Sequence, residues 1–204
     1  MEGRWCRVEP LDPDAHAAGL HAANSADTDG RMWTYLSEQP FATEAAYRTW
    51  AQAAAASSDP LFFAIVDSAT GEPRGVASYL RIEPADGVIE VGHIAYSPAL
   101  QRTTAATEAM YLMMRRVFDE LGYRRYEWKC NALNAGSRAA AQRLGFTYEG
   151  TFRQAKVVKG RNRDTAWFSI LDTEWPRMRA AFEAWLDPSN FDAEGRQRSR
   201  LSGA

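Results

Sequence analysis

The stretch that decides the fold runs from residue 90 to residue 108 and reads EVGHIAYSPALQRTTAATE. Its first half is typical of a strand, which we expect to end at Ser97-Pro98. Small residues then form a short turn at positions 101–106, and a helix is expected from Thr107. Backbone N–H groups at a helix N-terminus have no partner within the helix, and the helix dipole adds partial positive charge there. The segment therefore predicts an anion site that suits a phosphate or a pyrophosphate.

Outside this segment, strand and helix patterns alternate along the chain. We expect strands at residues 4–10, 61–67, 75–82, 88–96, 126–130, 147–158 and 165–171. We expect helices at residues 13–24, 44–56, 107–121, 134–144 and 174–186. This order predicts a single α/β domain over residues 1–186. The polar residues 187–204 are expected to form a flexible tail.

The composition excludes several classes of protein. The chain has 204 residues, of which 46% are hydrophobic and 25% charged, with a formal net charge of −2. These values are typical of one soluble globular domain, and they favour neither nucleic acid nor a membrane as a partner. The first residues contain no apolar stretch of signal-peptide length, so a cytoplasmic location is expected. The cysteines and histidines lack metal-ligand spacing, so no metal site is expected.

The central turn resembles motif A of the GNAT acetyltransferases, which reads Gln/Arg-x-x-Gly-x-Gly/Ala. Gln101 matches the first position and Ala106 the last, while Thr104 replaces the middle glycine. Glycine adopts a positive φ easily and lets a backbone approach phosphate closely, whereas threonine tolerates a positive φ poorly. Either Thr104 has an ordinary φ in this turn, or the phosphate site is impaired.

A second segment is similar to motif B of the same superfamily, in particular to its RimJ/RimL-type branch, which acetylates protein N-termini. It comprises Asn134-Ala-Gly-Ser137, Arg143-Leu-Gly-Phe146 and Glu149-Gly150. The resemblance covers residues 7–175. It implies the GNAT fold, of α/β (α+β) class, with a mixed and mostly antiparallel central sheet of about seven strands flanked by helices. It also implies a splay between the fourth and fifth strands.

The resemblance implies that acetyl-CoA is the acetyl donor and that the central segment holds it. The backbone of Ile94, Ala95 and Tyr96 would bind the pantetheine arm, and one N–H group there would stabilise an oxyanion. The pyrophosphate would lie on the turn, which comprises Gln101, Arg102, Thr103, Thr104, Ala105, Ala106 and Thr107. Asn134 and Ser137 would add hydrogen bonds to the coenzyme, although Asn134 also suits the cap of its helix.

Acetyl transfer to an amine needs a base, and the central strand offers two candidates. Glu90 occupies a position where some members of the superfamily carry a glutamate base. His93, on the opposite face of the strand, is the alternative, because a neutral imidazole near pH 7 accepts a proton well. A water chain that reaches either residue is equally compatible with the fold. Ala141 replaces the tyrosine that many members use as the acid, which leaves Ser137 as a candidate proton relay.

Three aromatic residues, Trp33, Tyr35 and Phe41, fall between the first two helices. In the resembling fold this region roofs the acceptor site, so these side chains either line a pocket or pack in the core. The acceptor is expected to be a primary amine, on a protein N-terminus or on a small molecule. Two further hypotheses are transfer of another acyl group and a module that binds an acyl-CoA without turnover. A strand edge near the C-terminal hairpin would permit a homodimer.

Overall fold

A computed structural model describes residues 1–201 of the chain. The described residues contain seven strands: β1 (Cys6–Pro10), β2 (Leu61–Asp67), β3 (Pro73–Glu83), β4 (Val88–Tyr96), β5 (Arg125–Asn131), β6 (Thr147–Val158) and β7 (Arg161–Leu171). They also contain five α-helices: α1 (Pro13–Ser25), α2 (Glu44–Ala55), α3 (Thr104–Arg115), α4 (Ala135–Arg143) and α5 (Trp175–Leu186). Short 3-10 turns lie at Arg31–Trp33 and Pro188–Asn190, and a π-helical turn lies at Arg116–Glu120.

The strands form a seven-stranded mixed sheet with one parallel pair, in the order β1-β2-β3-β4-β5-β7-β6. The predicted sheet of about seven strands flanked by helices is therefore confirmed. The chain divides into two compact units. The first comprises Met1–Glu83 and Ile89–Met113, and the second comprises Pro84–Val88 and the described part of Met114–Ala204. The splay that the sequence suggests between the fourth and fifth strands stays a prediction.

The first unit is built on an antiparallel meander of β1, β2 and β3. Helix α2 buries Tyr47, Ala51 and Ala54, which recur at helical spacing and so share one face. This face and part of α1 pack with side chains of β2 and β3 into one buried cluster. The cluster gives the first unit its core and fixes the position of the segment between α1 and α2.

The second unit contains a long hairpin of β6 and β7. Lys159 and Gly160 have φ values of 50° and 72°, and Val158 pairs with Arg161. Positive φ at both central residues is the geometry of the tight hairpin turn that matches the strand twist. The predicted start of the last strand at residue 165 is therefore wrong, because the turn needs only two residues. Strand β6 is exposed along most of its length at the sheet edge, and the homodimer stays a prediction.

Helix α3 begins three residues earlier than the sequence predicted. The hydroxyl of Thr103 accepts a hydrogen bond of 3.1 Å from the Ala106 amide. This bond caps the helix, and alanine at the next positions favours helical backbone, so the helix extends back to Thr104. At the other end, the Leu121 amide donates to Arg116 O, and the helix closes as a π-helical turn.

A buried carboxylate ties the start of the chain to α3. Glu108 is 5% exposed, and its Oε1 accepts a hydrogen bond of 2.8 Å from the Arg4 amide. Its Oε2 accepts from the amides of Trp5 and Cys6 at 2.7 and 2.8 Å. The thiol of Cys6 adds a contact of 3.5 Å to Ala105 O in the first turn of α3. Residues 4–6 and the first turns of α3 are thus held as one piece.

Replacing Glu108 with alanine is expected to lower the free energy of unfolding by about 3 kcal/mol or more, because three backbone donors lose their acceptor together. Urea unfolding followed by circular dichroism measures this loss. Glu120→Ala is the matched control, since Glu120 lies on an exposed turn and pairs with Arg116 at the surface; a change within about 0.5 kcal/mol is expected there. Equal losses in the two variants would contradict the anchoring role of Glu108.

Residues that follow α5 make several hydrogen bonds to it and to one another. Trp185 Nε1 donates to Gln197 Oε1 at 2.9 Å, and Asn190 Nδ2 donates to Trp185 O at 2.9 Å. The Ser199 amide donates to Asn190 Oδ1 at 2.8 Å. The flexibility expected for residues 187–204 stays a prediction, and residues 202–204 lie outside the described residues.

The structure also bears on membrane insertion, metal binding and thiol reactivity. Across residues 1–201, no helix combines the length and the apolar character that crossing a bilayer requires. In the same range, no group of three or more His, Cys, Asp or Glu side chains is arranged to hold a metal ion. Burial raises the pKa of both cysteine thiols, Cys6 and Cys130, so both stay protonated near neutral pH.

Candidate active site

Strand β4 leaves regular extended geometry at His93, where φ is 48°. Such a backbone conformation is uncommon for a residue with a side chain, and it often marks a functional position. His93 Nδ1 lies 2.9 Å from Ser78 Oγ, and that hydroxyl donates to Gly92 O at 3.2 Å. A hydroxyl has one proton, so we assign Nδ1–H as the donor to Ser78. In the neutral ring, Nε2 is then the nitrogen that carries no proton.

His93 lines a cleft within the first unit, which we call the aromatic cleft. Its walls are formed mainly by the aromatic side chains Trp33, Phe41, Tyr47 and Trp50, with Glu38 as the single carboxylate among the described lining residues. The cleft is narrow: its volume of about 290 Å³ counts the gaps between atoms and open solvent. Neighbouring rings contact each other at centroid distances of 5.1 to 5.8 Å. A largely aromatic cleft that also contains the side chains of Glu38 and His93 suits a small organic group better than a large polar one.

Two of the three aromatic residues predicted for the acceptor side, Trp33 and Phe41, line this cleft, whereas Tyr35 is not among its lining residues. Trp33 is only 6% exposed and also belongs to the core cluster. The sequence reasoning missed Tyr47 and Trp50. Their three-residue spacing on α2 is typical of a buried helical face, and a buried face and a cleft wall have the same pattern.

Glu90, the other predicted base, has a different environment from His93. It is 3% exposed, and its Oε2 accepts a hydrogen bond of 2.5 Å from Arg81 Nη1. Its Oε1 lies 3.7 Å from the place that a Cβ on Gly92 would occupy, so the carboxyl group lies on the Gly92 side of the strand. Glu90 does not belong to the residues that line the aromatic cleft. Of the two candidate bases, His93 is the one at the cleft.

The backbone amides of the central turn fall into two groups. The amides of Gln101, Thr103 and Ala106 already donate to acceptors within the chain. Within residues 1–201, the amides of Arg102, Thr104 and Ala105 have no acceptor. Thr104 and Ala105 are the first two residues of α3, and Thr107 lies inside it. The open amides therefore lie at the positive end of the helix dipole, where an anion binds most favourably.

The left-handed residue of the turn is Arg102, with a φ of 61°, and Thr104 has an ordinary φ. Of the two alternatives for Thr104, an ordinary φ in the turn is therefore the one that the structure contains. No sequence signal identified Arg102 as the left-handed residue, because arginine is not a residue that favours this conformation. The side chain of Arg102 is exposed. Gln101 shapes the turn through its side chain, whose Nε2 donates to Tyr96 O at 2.8 Å.

The end of β4 carries the other backbone groups that the resemblance implied for the coenzyme. Ala95 lines the aromatic cleft, and Ile94 precedes it on the strand. The hydroxyl of Tyr96 lies 3.5 Å from Ala106 O, in the first turn of α3. Burial raises the pKa of this phenol well above its ordinary value, so it stays protonated at neutral pH. Tyr96 thus connects the end of β4 with the first turn of α3.

Asn134 and Ser137, the first motif B residues, lie in the second unit at the start of α4. Asn134 caps this helix, since its Oδ1 accepts a hydrogen bond of 3.0 Å from the Ser137 amide. Ser137 Oγ accepts from Trp128 Nε1 at 2.9 Å. Burial raises the pKa of the Cys130 thiol and a hydrogen bond with the Ser137 side chain lowers it, so the Ser137 hydroxyl already has a second partner within the protein. Ala141 is fully buried on the same helix.

A family model described as acetyltransferase (GNAT) domain matches residues 7–147. The chain belongs to the GNAT acetyltransferase family. The matched residues of this GNAT acetyltransferase include the end of β4, the turn with the open amides and α4, whereas Glu149 and Gly150 of the second motif segment lie beyond them.

Solved structures agree with this assignment. A GCN5-related N-acetyltransferase from Brucella melitensis is 52% identical, covers 98% of this chain and 90% of its own, and has a TM-score of 0.96. A probable GNAT-family acetyltransferase from Chromobacterium violaceum is 44% identical, covers 86% and 87% of the two chains, and has a TM-score of 0.80.

A more distant structure is the RimL ribosomal L7/L12 alpha-N-protein acetyltransferase in complex with coenzyme A. It is 21% identical over 83% of this chain and 95% of its own, with a TM-score of 0.69. At this identity the similarity concerns the fold alone. Among curated proteins, none matches this GNAT acetyltransferase.

Proposed function

We propose that this GNAT acetyltransferase transfers the acetyl group of acetyl-CoA to the nitrogen of a primary amine by direct attack in a ternary complex. The observation that carries the proposal is the set of open amides at the start of α3, in the same unit as a cleft that contains His93. The open amides suit an anionic donor, and His93 supplies a proton acceptor for an amine. Donor binding and acceptor activation are thus both provided by the first unit.

The donor side fits the coenzyme through its diphosphate. The amides of Arg102, Thr104 and Ala105 have no acceptor within residues 1–201, and they lie at a helix N-terminus. Hydrogen bonds from backbone N–H groups to a charged acceptor contribute more than neutral ones. When bound, acetyl-CoA supplies a thioester that an amine can attack without a covalent enzyme intermediate. The exposed guanidinium of Arg102 adds positive charge beside the same turn.

The acceptor side provides the proton transfer. A primary amine is mostly protonated near pH 7 and must lose a proton before its nitrogen can form the new C–N bond. His93 Nε2 receives that proton, while Ser78 holds Nδ1 and keeps the ring in the required tautomer. Glu90 forms an ion pair with Arg81, and we assign it a structural or electrostatic role in the strand. In the second unit, we assign Ser137 and Asn134 to the coenzyme by resemblance.

For the acceptor we place a protein N-terminus first and a small-molecule amine second. The RimL structure named above is an alpha-N-protein acetyltransferase with the same fold, which supports the first choice. The narrow, aromatic character of the cleft is compatible with both acceptors.

A binding module without turnover is the competing function, and buried Ala141, in the place of the common tyrosine acid, favours it. The purified chain should be incubated with acetyl-CoA and a panel of short peptides and small primary amines. We expect release of the coenzyme thiol, and an increase in product mass that corresponds to one acetyl group. The same peptides with a blocked N-terminus serve as controls and should not react. Saturable binding of acetyl-CoA with turnover of no amine would assign the chain to the binding modules instead.

A further inference from the structure

Glu38 is a carboxylate without a counter-ion in the wall of the aromatic cleft. It is partly buried, and its Oε2 accepts a hydrogen bond of 3.0 Å from the Ser37 hydroxyl. Among residues 1–201, no Lys, Arg or His forms an ion pair with it. Nearby acidic residues differ, since Glu44 pairs with Arg48 at 3.2 Å. A partly buried carboxylate beside aromatic rings is a favourable place for a cation that arrives with a ligand.

The aromatic rings of the cleft strengthen this preference. Trp33, Phe41 and Trp50 are all lining residues, and a cation within about 6 Å of such a ring face is attracted to it. The charge of Glu38 acts within the cleft: burial raises the pKa of the Tyr47 hydroxyl, the Asn24 side chain lowers it, and the negative charge of Glu38 raises it further. The remaining lining is apolar, including Leu36 and Val76.

We infer that the aromatic cleft is a subsite for the acceptor in its ammonium form, in which Glu38 and the aromatic rings bind the cation and the apolar wall holds an uncharged apolar group next to it. This inference rests on the proposed function and specifies its substrate class. The ammonium group binds at Glu38, and His93 in the same cleft takes its proton. A second negative charge close to the amine would face Glu38 and be repelled. The subsite therefore selects amines that lack a neighbouring carboxylate.

The sharpest test compares leucinamide with leucine, which share the amine and the side chain and differ in the carboxylate. For the unmodified enzyme we expect kcat/KM for leucinamide to exceed that for leucine by about 100-fold. In Glu38→Gln, we expect the KM for leucinamide to rise about 10-fold and the preference for leucinamide over leucine to fall at least 10-fold, because the charge that separates the two is gone. The KM for acetyl-CoA should not change, which distinguishes a subsite residue from a merely structural one.

Two variants serve as controls. Glu44→Gln removes an exposed carboxylate from α2, and Ser37→Ala removes the hydroxyl bonded to Glu38 while it keeps the charge. Both should keep the preference for leucinamide within about 3-fold of the unmodified enzyme, as surface charges contribute little. An unchanged preference in Glu38→Gln, or an equal loss in Glu44→Gln, would overturn the inference.

The source of the ammonium group is tested in the same series. A tetrapeptide with an N-terminal leucine is compared with leucinamide, and acetylation of either supports the subsite. A higher kcat/KM for the peptide identifies a protein N-terminus as the acceptor, and a higher value for leucinamide identifies a small amine. Calorimetric binding of leucinamide in the presence of coenzyme A gives a readout that needs no turnover. If no amine is acetylated, the proposed function fails, while loss of binding in Glu38→Gln still supports the subsite and unchanged binding overturns it.

Discussion

Thr104→Pro is expected to weaken the binding of acetyl-CoA by about 10- to 100-fold, because proline has no N–H and a hydrogen bond to a charged group contributes about 1.5–3 kcal/mol. Thr104 is the first residue of α3, a position at which proline is well tolerated since its amide has no partner inside the helix. The substitution thus removes one donor while α3 keeps its structure. Titration calorimetry with acetyl-CoA measures the effect directly.

The matched control for this prediction is Thr104→Ala, which keeps the amide and removes only the hydroxyl. We expect the dissociation constant of Thr104→Ala to stay within about 3-fold of the unmodified enzyme, and the two variants to have similar thermal midpoints. Equal affinities for Thr104→Pro and Thr104→Ala would show that the Thr104 amide does not bind the coenzyme. A strong loss in Thr104→Ala would instead assign the contact to the hydroxyl.

His93→Ala is expected to lower kcat by about 10²- to 10⁴-fold, the range over which a positioned general base contributes. The KM for acetyl-CoA should change little, since His93 lines the aromatic cleft and not the turn before α3. Steady-state kinetics of the two enzymes give kcat and the KM for acetyl-CoA.

Two further variants separate His93 from its rival. Glu90→Gln keeps the shape of the side chain and removes the charge that pairs with Arg81; we expect a smaller fall in kcat than in His93→Ala. Ser78→Ala removes the acceptor of Nδ1–H, so a partial fall in kcat is expected. A larger loss in Glu90→Gln than in His93→Ala would make Glu90, or a water chain attached to it, the base.

Much of the fold could be predicted because its elements depend on short-range patterns. The order of strands and helices followed from apolar periodicity and from proline and glycine at their ends. The start of α3 was misplaced because the sequence contains three threonines close together, and only the structure shows that Thr103 provides the cap. The start of β7 was misplaced because Lys159 adopts a positive φ that lysine rarely has.

The candidate site was harder to predict, because its chemistry depends on distant residues and on unusual backbone. Motif spacing identified the turn before α3 and the strand with Glu90 and His93. Strand alternation alone would give His93 an ordinary extended backbone, whereas its positive φ accompanies the contact with Ser78. Glu38 belongs to no motif that the sequence reveals. Its lack of a counter-ion becomes visible only when the neighbouring charges are located in space.

The anchoring of residues 4–6 by Glu108 has a thermodynamic consequence for ligand binding. The same helix that presents the open amides also holds the start of the chain, through Glu108 and through the contact of Cys6 with Ala105. Any ligand that binds only the ordered first turn of α3 must also favour the docked form of that segment, by reciprocal linkage. Detachment of the opening segment and occupancy of the donor site therefore oppose each other, although residues 4–6 contribute no group to the anion.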